Sequence, residues 1–260
     1  MMYRKLSELT RKAGFYGELR AIKARIDRLK PQNIRHRHLS QRFYGQLFNA
    51  GDLVFDIGAN VGNRTEVFLD LGARVIAVEP QSPCQDALKR LFGGNDRFTL
   101  VPEAMGAKAG EAEMFVSDAL VLSTLSTEWI SKMRASGRFG ETEWNATATV
   151  PVRTMDSLIA EFGEPKFCKI DVEGFELEVI KGLSRGISAL SLEVASENVE
   201  AIMESLDYLD RLGRYDYNYS ISESMSMIAD RWVGPQQIRR CIRSDLGPNL
   251  FGDVYARRAY

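Results

Sequence analysis

The sequence has no apolar run of the ~18 residues that a membrane span requires. Its opening residues, MMYRKLSELTRKAG, lack the apolar core of a secretory signal, so a soluble, cytoplasmic chain is expected. Cysteine is scarce. Cys84, Cys168 and Cys241 are far apart, odd in number and form no CxxC or Cys/His pattern, which excludes a disulfide framework and a thiolate metal centre and predicts reduced thiols. Histidine is scarcer still: His36 and His38 sit in a basic stretch without nearby carboxylates or thiols, which favours a surface or substrate-facing role over metal ligation. No internal repeat or low-complexity linker interrupts the chain.

What is present is ordinary for a globular protein: 260 residues, 45% of them hydrophobic, enough for one α/β domain with a modest appendage. The net charge of −1 hides an asymmetry. Residues 1 to 42 hold twelve Lys/Arg against three Asp/Glu, a surplus of +9 that the remainder offsets with −10. Such an arm is either a solvated helical face or a contact for an anionic lipid surface, a phosphorylated substrate or a nucleic acid. The absence of interleaved aromatics argues against nucleic acid. Within 17 to 30, Leu19, Ile22, Ile26 and Leu29 fall on one helical stripe, which Pro31 is expected to limit. Residues 1–50 are therefore read as a basic helical extension and 51–260 as the main domain.

From Asp52 onward, short apolar runs alternate with helical patterns, the rhythm of βαβ units and a parallel sheet. Strands are expected at Leu53–Ile57, Arg74–Glu79, Phe98–Pro102, Phe167–Val172, Ala189–Val194, Tyr215–Ser220 and Asp253–Arg257. Between the third and fourth, extended Ala112–Ser117 and Thr147–Val152 bracket an insertion with a helix near Glu128–Ala135, which should cover the ligand edge. Val199, Ile202, Met203, Leu206 and Leu209 give a later helix its apolar face, with Gly213 as its stop.

The segment Val54-Phe55-Asp56-Ile57-Gly58-Ala59-Asn60-Val61-Gly62-Asn63 is a buried-strand pattern running into a small-residue turn and a helix. Gly58 and Gly62 suit a sharp turn that approaches a ligand, Asp56 suits a cationic amine, and the helix start offers free N–H donors. A second strand ends in Glu79-Pro80, 21 residues after Gly58. One βαβ unit returns the chain beside its first strand, so an acid at that distance can accept both ribose hydroxyls. Glu103-Ala104, after the third strand, could meet an adenine edge through side chain or backbone. NAD is the competing ligand, but D-x-G-x-N-x-G puts the Asn60 side chain in the turn and respaces the glycines, which poorly provides for a pyrophosphate.

These blocks, with TMDSLIAEFGEPKFCKIDVEGFELEVIKGL and SLEV, resemble the FkbM family of S-adenosylmethionine-dependent methyltransferases over roughly residues 50 to 200. The resemblance implies the class I methyltransferase fold, a Rossmann-like three-layer sandwich around a mostly parallel seven-stranded sheet with one antiparallel strand. It also implies S-adenosylmethionine as cofactor and O-methylation of a hydroxyl on a sugar, glycolipid or other natural product. The contrasting reading is a catalytically silent cofactor-binding module whose basic arm docks a partner. The fourth strand ends in DVEG rather than in an Asp/Asn-Pro-Pro-aromatic signature, which disfavours a nucleobase acceptor.

Strand alternation sends Lys169, Asp171 and Glu173 to one face at the sheet's ligand edge. Lys169 packed between acids would stay charged. Methyl transfer from a sulfonium is an in-line displacement, so positioning should dominate, with Asp171 taking the acceptor's proton late and Glu173 and Lys169 orienting it. A divalent cation on Asp171, Glu173 and Glu193 is the less favoured alternative.

Overall fold

A computed structural model describes residues 30–117, 122–138, 140, 142–245 and 251–259. The stripe Leu19, Ile22, Ile26 and Leu29 lies outside the described residues. In chain order the elements are α1 (Pro31–Tyr44), β1 (Leu53–Ile57), α2 (Asn63–Asp70), β2 (Arg74–Val78), α3 (Ser82–Phe92), β3 (Phe98–Val101), β4 (Ala104–Met105), β5 (Gly110–Val116), α4 (Thr127–Ser136), β6 (Ala146–Arg153), α5 (Met155–Phe162) and β7 (Phe167–Ile170). There follow α6 (Glu176–Lys181), β8 (Ala189–Ala195), α7 (Val199–Leu212), β9 (Tyr215–Ile221), α8 (Pro235–Asp245) and β10 (Phe251–Arg258).

Seven strands form one sheet in the order β3-β2-β1-β7-β8-β10-β9, in which β10 alone runs antiparallel to its neighbours. Its strands are apolar runs because both faces are covered. Along β1, Phe55 and Ile57 join the core under α5 to α8, whereas Val54 points to the core under α1 to α3. The same alternation puts Phe167 on the α1 side, and two residues further on Lys169. The order reverses direction between β1 and β7, and there the crevice at the carboxyl ends of the strands opens.

The insertion is a small sheet ordered β4-β6-β5, with α4 beside it. Ser126 caps α4 by accepting from the Trp129 N–H, and Gly137 ends it with φ +66. Trp129, Ile130, Met133 and Trp144 of the insertion pack with Ala195 at the end of β8, so the insertion closes over the carboxyl edge as expected.

Pro31 opens α1, and the helix it was expected to limit, within 17 to 30, lies outside the described residues but for Lys30. At the first helical position its missing N–H would have no intrahelical acceptor anyway, and its fixed φ suits the turn. The far end of α1 is core: Phe43, Tyr44 and Phe48 are buried against Phe68, Phe167 and Tyr255, with ring centroids 5.0 to 6.2 Å apart. Among the described residues no helix is long and apolar enough to cross a membrane.

Candidate functional site

The turn after β1 is built by backbone hydrogen bonds to the neighbouring strand. Gly58 N–H and Ala59 N–H both donate to the Val78 carbonyl, at 3.0 and 3.1 Å. The Asn60 N–H donates to one oxygen of Glu79 and the Gln81 N–H to the other, each at 2.8 Å. The Glu79 carboxylate, 2% exposed, thereby locks the turn to the end of β2 and is held in one orientation. Beyond it, the Pro80 carbonyl accepts from the Gln85 amide at 3.0 Å.

Gly58 (φ +80) and Gly62 (φ +86) adopt the left-handed conformation that the expected sharp turn calls for, and their missing side chains have a further reason within the protein. A methyl group on Gly58 would lie 1.9 Å from the Asp171 carbonyl oxygen, and one on Gly62 would lie 2.4 Å from Phe92. Both glycines make room for the protein's own neighbours. The consequence at Gly58 is that the turn abuts the residue after β7, joining the Glu79 side of the crevice to the acidic one. Asp56 is buried beside this junction, where it accepts from Thr65 Oγ1 at 2.5 Å and faces Lys169 in register. Burial raises its carboxyl, with the Thr65 bond opposing. Glu103 lies 3.8 Å from the Arg153 guanidinium of β6, and Ala104 is buried in β4 beside Val152, so this pair ties the insertion to the sheet.

The acidic side centres on Lys169, which is 3% exposed. Its Nζ is 2.6 Å from Asp171 Oδ2 and 3.8 Å from Asp253 Oδ1, so its charged neighbours are Asp171 and Asp253 rather than Asp171 and Glu173. Burial alone would discharge the amine, yet these carboxylates hold its pKa well above the usual value. In return Asp171 is kept below the usual carboxylate range, against the effect of burial, by Lys169 and by a hydrogen bond from Glu193. Asp171, Glu173 and Glu193 place carboxylate oxygens within 4.8 Å of one another. Burial and the Asp171 charge push Glu173 and Glu193 well up. The cluster therefore sets a Lys169–Asp171 ion pair beside two acids whose protonated forms burial favours.

Glu173 reaches this cluster with φ +54, a left-handed backbone that costs a non-glycine residue on the order of 1 kcal/mol. The surroundings hold it there. Thr124 of the insertion donates its hydroxyl to the Glu173 carbonyl at 2.7 Å, and Gly174 lies under the Trp129 indole. Glu176 accepts from the Val172 and Gly174 N–H groups at 3.1 and 3.2 Å, folding the DVEG turn from within. Burial lifts the Glu176 carboxyl from 4.5 to about 7. Folding therefore takes up a proton between those values, and stability should fall as pH rises through that window and level off above it. The Glu176 share is about 3 kcal/mol, at ~1.4 kcal/mol per pH unit. Glu176→Gln keeps an acceptor oxygen for both N–H groups, so its melting temperature should decline less between pH 4.5 and 7 than that of the unsubstituted protein.

Glu193 was a candidate cation ligand in the sequence, whereas Asp253, Arg64 and Glu223 carry no signal there. Asp253 and Glu193 meet only because β10 runs antiparallel to β8 in that register. Arg64, at the start of α2, reaches over the Tyr44 ring, 5.9 Å from its centroid, and pairs with Glu223 of the segment after β9. His36 Nε2 meets the same carboxylate at 3.3 Å, and His38 Nδ1 contacts Gln41 at 3.2 Å. Glu176 stood in view within DVEGFELE, but its inward orientation depends on the turn.

The donor set fits an adenosyl sulfonium. Segment 58–63 carries no cationic side chain to grip a pyrophosphate, whereas Glu79 can accept ribose hydroxyls and the acids beyond Gly58 suit a positive sulfur.

Comparison with known proteins agrees with this chemistry. The family pattern described as the methyltransferase FkbM domain matches residues 56–219, more than half of the chain. Hexuronic acid methyltransferase AglP of Haloferax volcanii is 25% identical over 147 residues, 55% of this chain and 54% of AglP. A chloroplastic ribosomal RNA small subunit methyltransferase of Arabidopsis thaliana is 38% identical over 53 residues, 20% of this chain and 16% of that protein. The aligned regions thus reach about half the length of the first relative and less of the second. Among solved structures, an O-methyltransferase from Bacillus cereus in complex with SAH aligns over 95% of this chain and 91% of that one, at 11% identity and a TM-score of 0.45. On the match across residues 56–219, the chain belongs to the FkbM family of S-adenosylmethionine-dependent methyltransferases.

Proposed function

We propose that the protein transfers a methyl group from S-adenosylmethionine to a hydroxyl of a sugar, glycolipid or other hydroxyl-rich natural product. The observation that carries this reading is the contact of Gly58 with Asp171, which sets the cofactor turn against the one carboxylate of the Asp171, Glu173 and Glu193 cluster that an adjacent cation keeps ionised. The name of AglP, a hexuronic acid methyltransferase, supports a glycan acceptor.

Bound S-adenosylmethionine supplies an electrophilic methyl group. Glu79 orients the ribose, and Asn60 and Pro80 hold the turn and strand end around it. Asp171 accepts the acceptor's hydroxyl proton. A carboxylate of low basicity suffices, because a hydroxyl oxygen that is forming a new bond to carbon becomes strongly acidic late in the reaction. Lys169 and the hydrogen bond from Glu193 favour ionised Asp171, and Glu173, whose protonated form burial favours, can donate a hydrogen bond that fixes the acceptor oxygen in line.

Incubating the purified protein with methyl-labelled cofactor and polysaccharide, glycolipid and protein fractions tests the reading. Label in a carbohydrate-bearing fraction, stable to mild base as an ether is, supports it. Absence of label in every fraction favours a silent cofactor-binding module. Glu79→Gln should weaken cofactor binding about 10- to 100-fold, since charge-assisted hydrogen bonds contribute ~1.5–3 kcal/mol, with little effect on turnover at saturation. Calorimetry and saturation kinetics separate the two effects.

The three-carboxylate group could also hold a divalent cation. Lys169 Nζ already lies 2.6 Å from Asp171 Oδ2 and competes with a cation for that carboxylate. Activity is expected to survive exhaustive chelation, and restoration by added magnesium or manganese after its loss would overturn that expectation.

A further inference from the structure

We infer that Arg64 receives the carboxylate of the amino-acid tail of S-adenosylmethionine, and that the Glu223 carboxylate holds that place until the cofactor displaces it. This role depends on the cofactor and not on the acceptor proposed above. Along its length S-adenosylmethionine carries ribose hydroxyls, then a sulfonium, then an amino acid whose carboxylate is negative at neutral pH. Glu79 at the end of β2 suits the first and the acids beyond Gly58 suit the second, so the third calls for a cation further along the crevice. Two cations act on Asp171, namely Lys169 and Arg64. Lys169 is committed, at 3% exposure, to Asp171 and Asp253. Arg64 is left for a ligand.

Its position fits. The turn at 58–62 runs between Glu79, to which the Asn60 N–H donates, and Asp171, which abuts Gly58. Arg64 follows that turn in the first turn of α2 and reaches away from β2, so that its charge acts on Asp56 of β1, on Asp171 after β7 and on Asp253 of β10. The order Glu79, Asp171, Arg64 across the sheet is therefore the order ribose, sulfur, carboxylate along the cofactor. The Arg64 side chain lies over the Tyr44 ring and is 15% exposed, which holds the guanidinium without sealing it off. Among the described residues it makes one hydrogen bond, from Nη2 to Glu223 Oε2, and the rest of its planar fork is open to an anion that can be gripped at two points.

Glu223 has the properties of a displaceable partner. Its side chain is 52% exposed, so water replaces most of what it loses on leaving Arg64. The segment that carries it holds two non-glycine residues, Ser222 and Met225, in the left-handed region at φ +53 and +50, a conformation kept only while the surroundings impose it. One of those surroundings is the Arg64 contact itself. The other partner of the same carboxylate is His36, at 3.3 Å.

Calorimetry with two ligands isolates the carboxylate. S-adenosylhomocysteine has the amino-acid tail, whereas methylthioadenosine is an adenosyl thioether without it. Arg64→Gln should weaken S-adenosylhomocysteine binding about 10- to 100-fold, the contribution of a charge-assisted pair, and leave methylthioadenosine binding unchanged. The second result also reports that the variant folds. Glu223→Ala should act with the opposite sign, tightening S-adenosylhomocysteine up to about fivefold and methylthioadenosine not at all. Undiminished affinity of Arg64→Gln for S-adenosylhomocysteine would overturn the inference, as would an equal loss for both ligands in a variant that melts like the unsubstituted protein. Unaltered or weaker S-adenosylhomocysteine binding by Glu223→Ala would also overturn it, and this surface variant decides alone if Arg64→Gln does not fold.

Discussion

Asp171→Asn is expected to lower turnover about 10²- to 10⁴-fold, the usual contribution of a positioned base, while leaving affinity for S-adenosylmethionine nearly intact. The substitution is close to isosteric. The Asn carbonyl can still accept from Lys169 Nζ, which sits 2.6 Å from the carboxylate it replaces, so the buried amine keeps a partner and the strand end keeps its shape. What disappears is the capacity to take a proton. Glu173 and Glu193 are poor substitutes, because burial, the largest influence on both and one that the substitution leaves in place, favours their protonated forms. Saturation kinetics with labelled cofactor, alongside calorimetry, would separate the loss in kcat from any loss in binding. Unchanged turnover would remove Asp171 from the role of base.

Lys169→Met should destabilise the fold by about 3–5 kcal/mol, the cost of breaking a buried ion pair from one side. For a chain of this size that corresponds to a melting temperature lower by on the order of 10 °C. Lys169 is nearly inaccessible, and its loss leaves Asp56, Asp171 and Asp253 around the vacated amine without their cation. The pH dependence distinguishes this cause from a simple packing defect. In the unsubstituted protein Asp171 titrates below its ordinary value, so its pairing contributes stability above that value and loses it as pH falls. In the variant the same carboxylates are pushed upward, so the deficit should be widest near neutrality and shrink as acid protonates them. Thermal melts from pH 4 to pH 8 would show it; a constant deficit across that range would point to packing instead.

How much of this was legible beforehand varies by element. Leu53–Ile57 follows from its apolar run and the glycine turn after it, and the single antiparallel strand follows from family resemblance rather than from any periodicity. Helix α1 was not legible, since Pro31 reads as a stop and the burial of Phe43, Tyr44 and Phe48 that anchors its far end is a tertiary contact. Glu79 was found by its distance from Gly58, a consequence of one βαβ unit having a fixed length. Asp253, some 80 residues beyond Lys169, had no such ruler. The glycines were located correctly for an incomplete reason: a turn demanding positive φ shows in sequence, whereas a collision with the Asp171 carbonyl does not.

The sequence by itself determined the alternating α/β pattern, the turn and acid that suit an adenosyl ligand, the KIDVEG strand end, and the concentration of positive charge in residues 1–42. These are local or periodic properties, fixed by chain geometry over a few residues or one βαβ unit. Tertiary structure alone decided which acid keeps its charge. Asp171, Glu173 and Glu193 are chemically near-equivalent along the chain, and they part company only because Lys169 lies 2.6 Å from one of them in an interior where Coulomb attraction and desolvation both act at full strength.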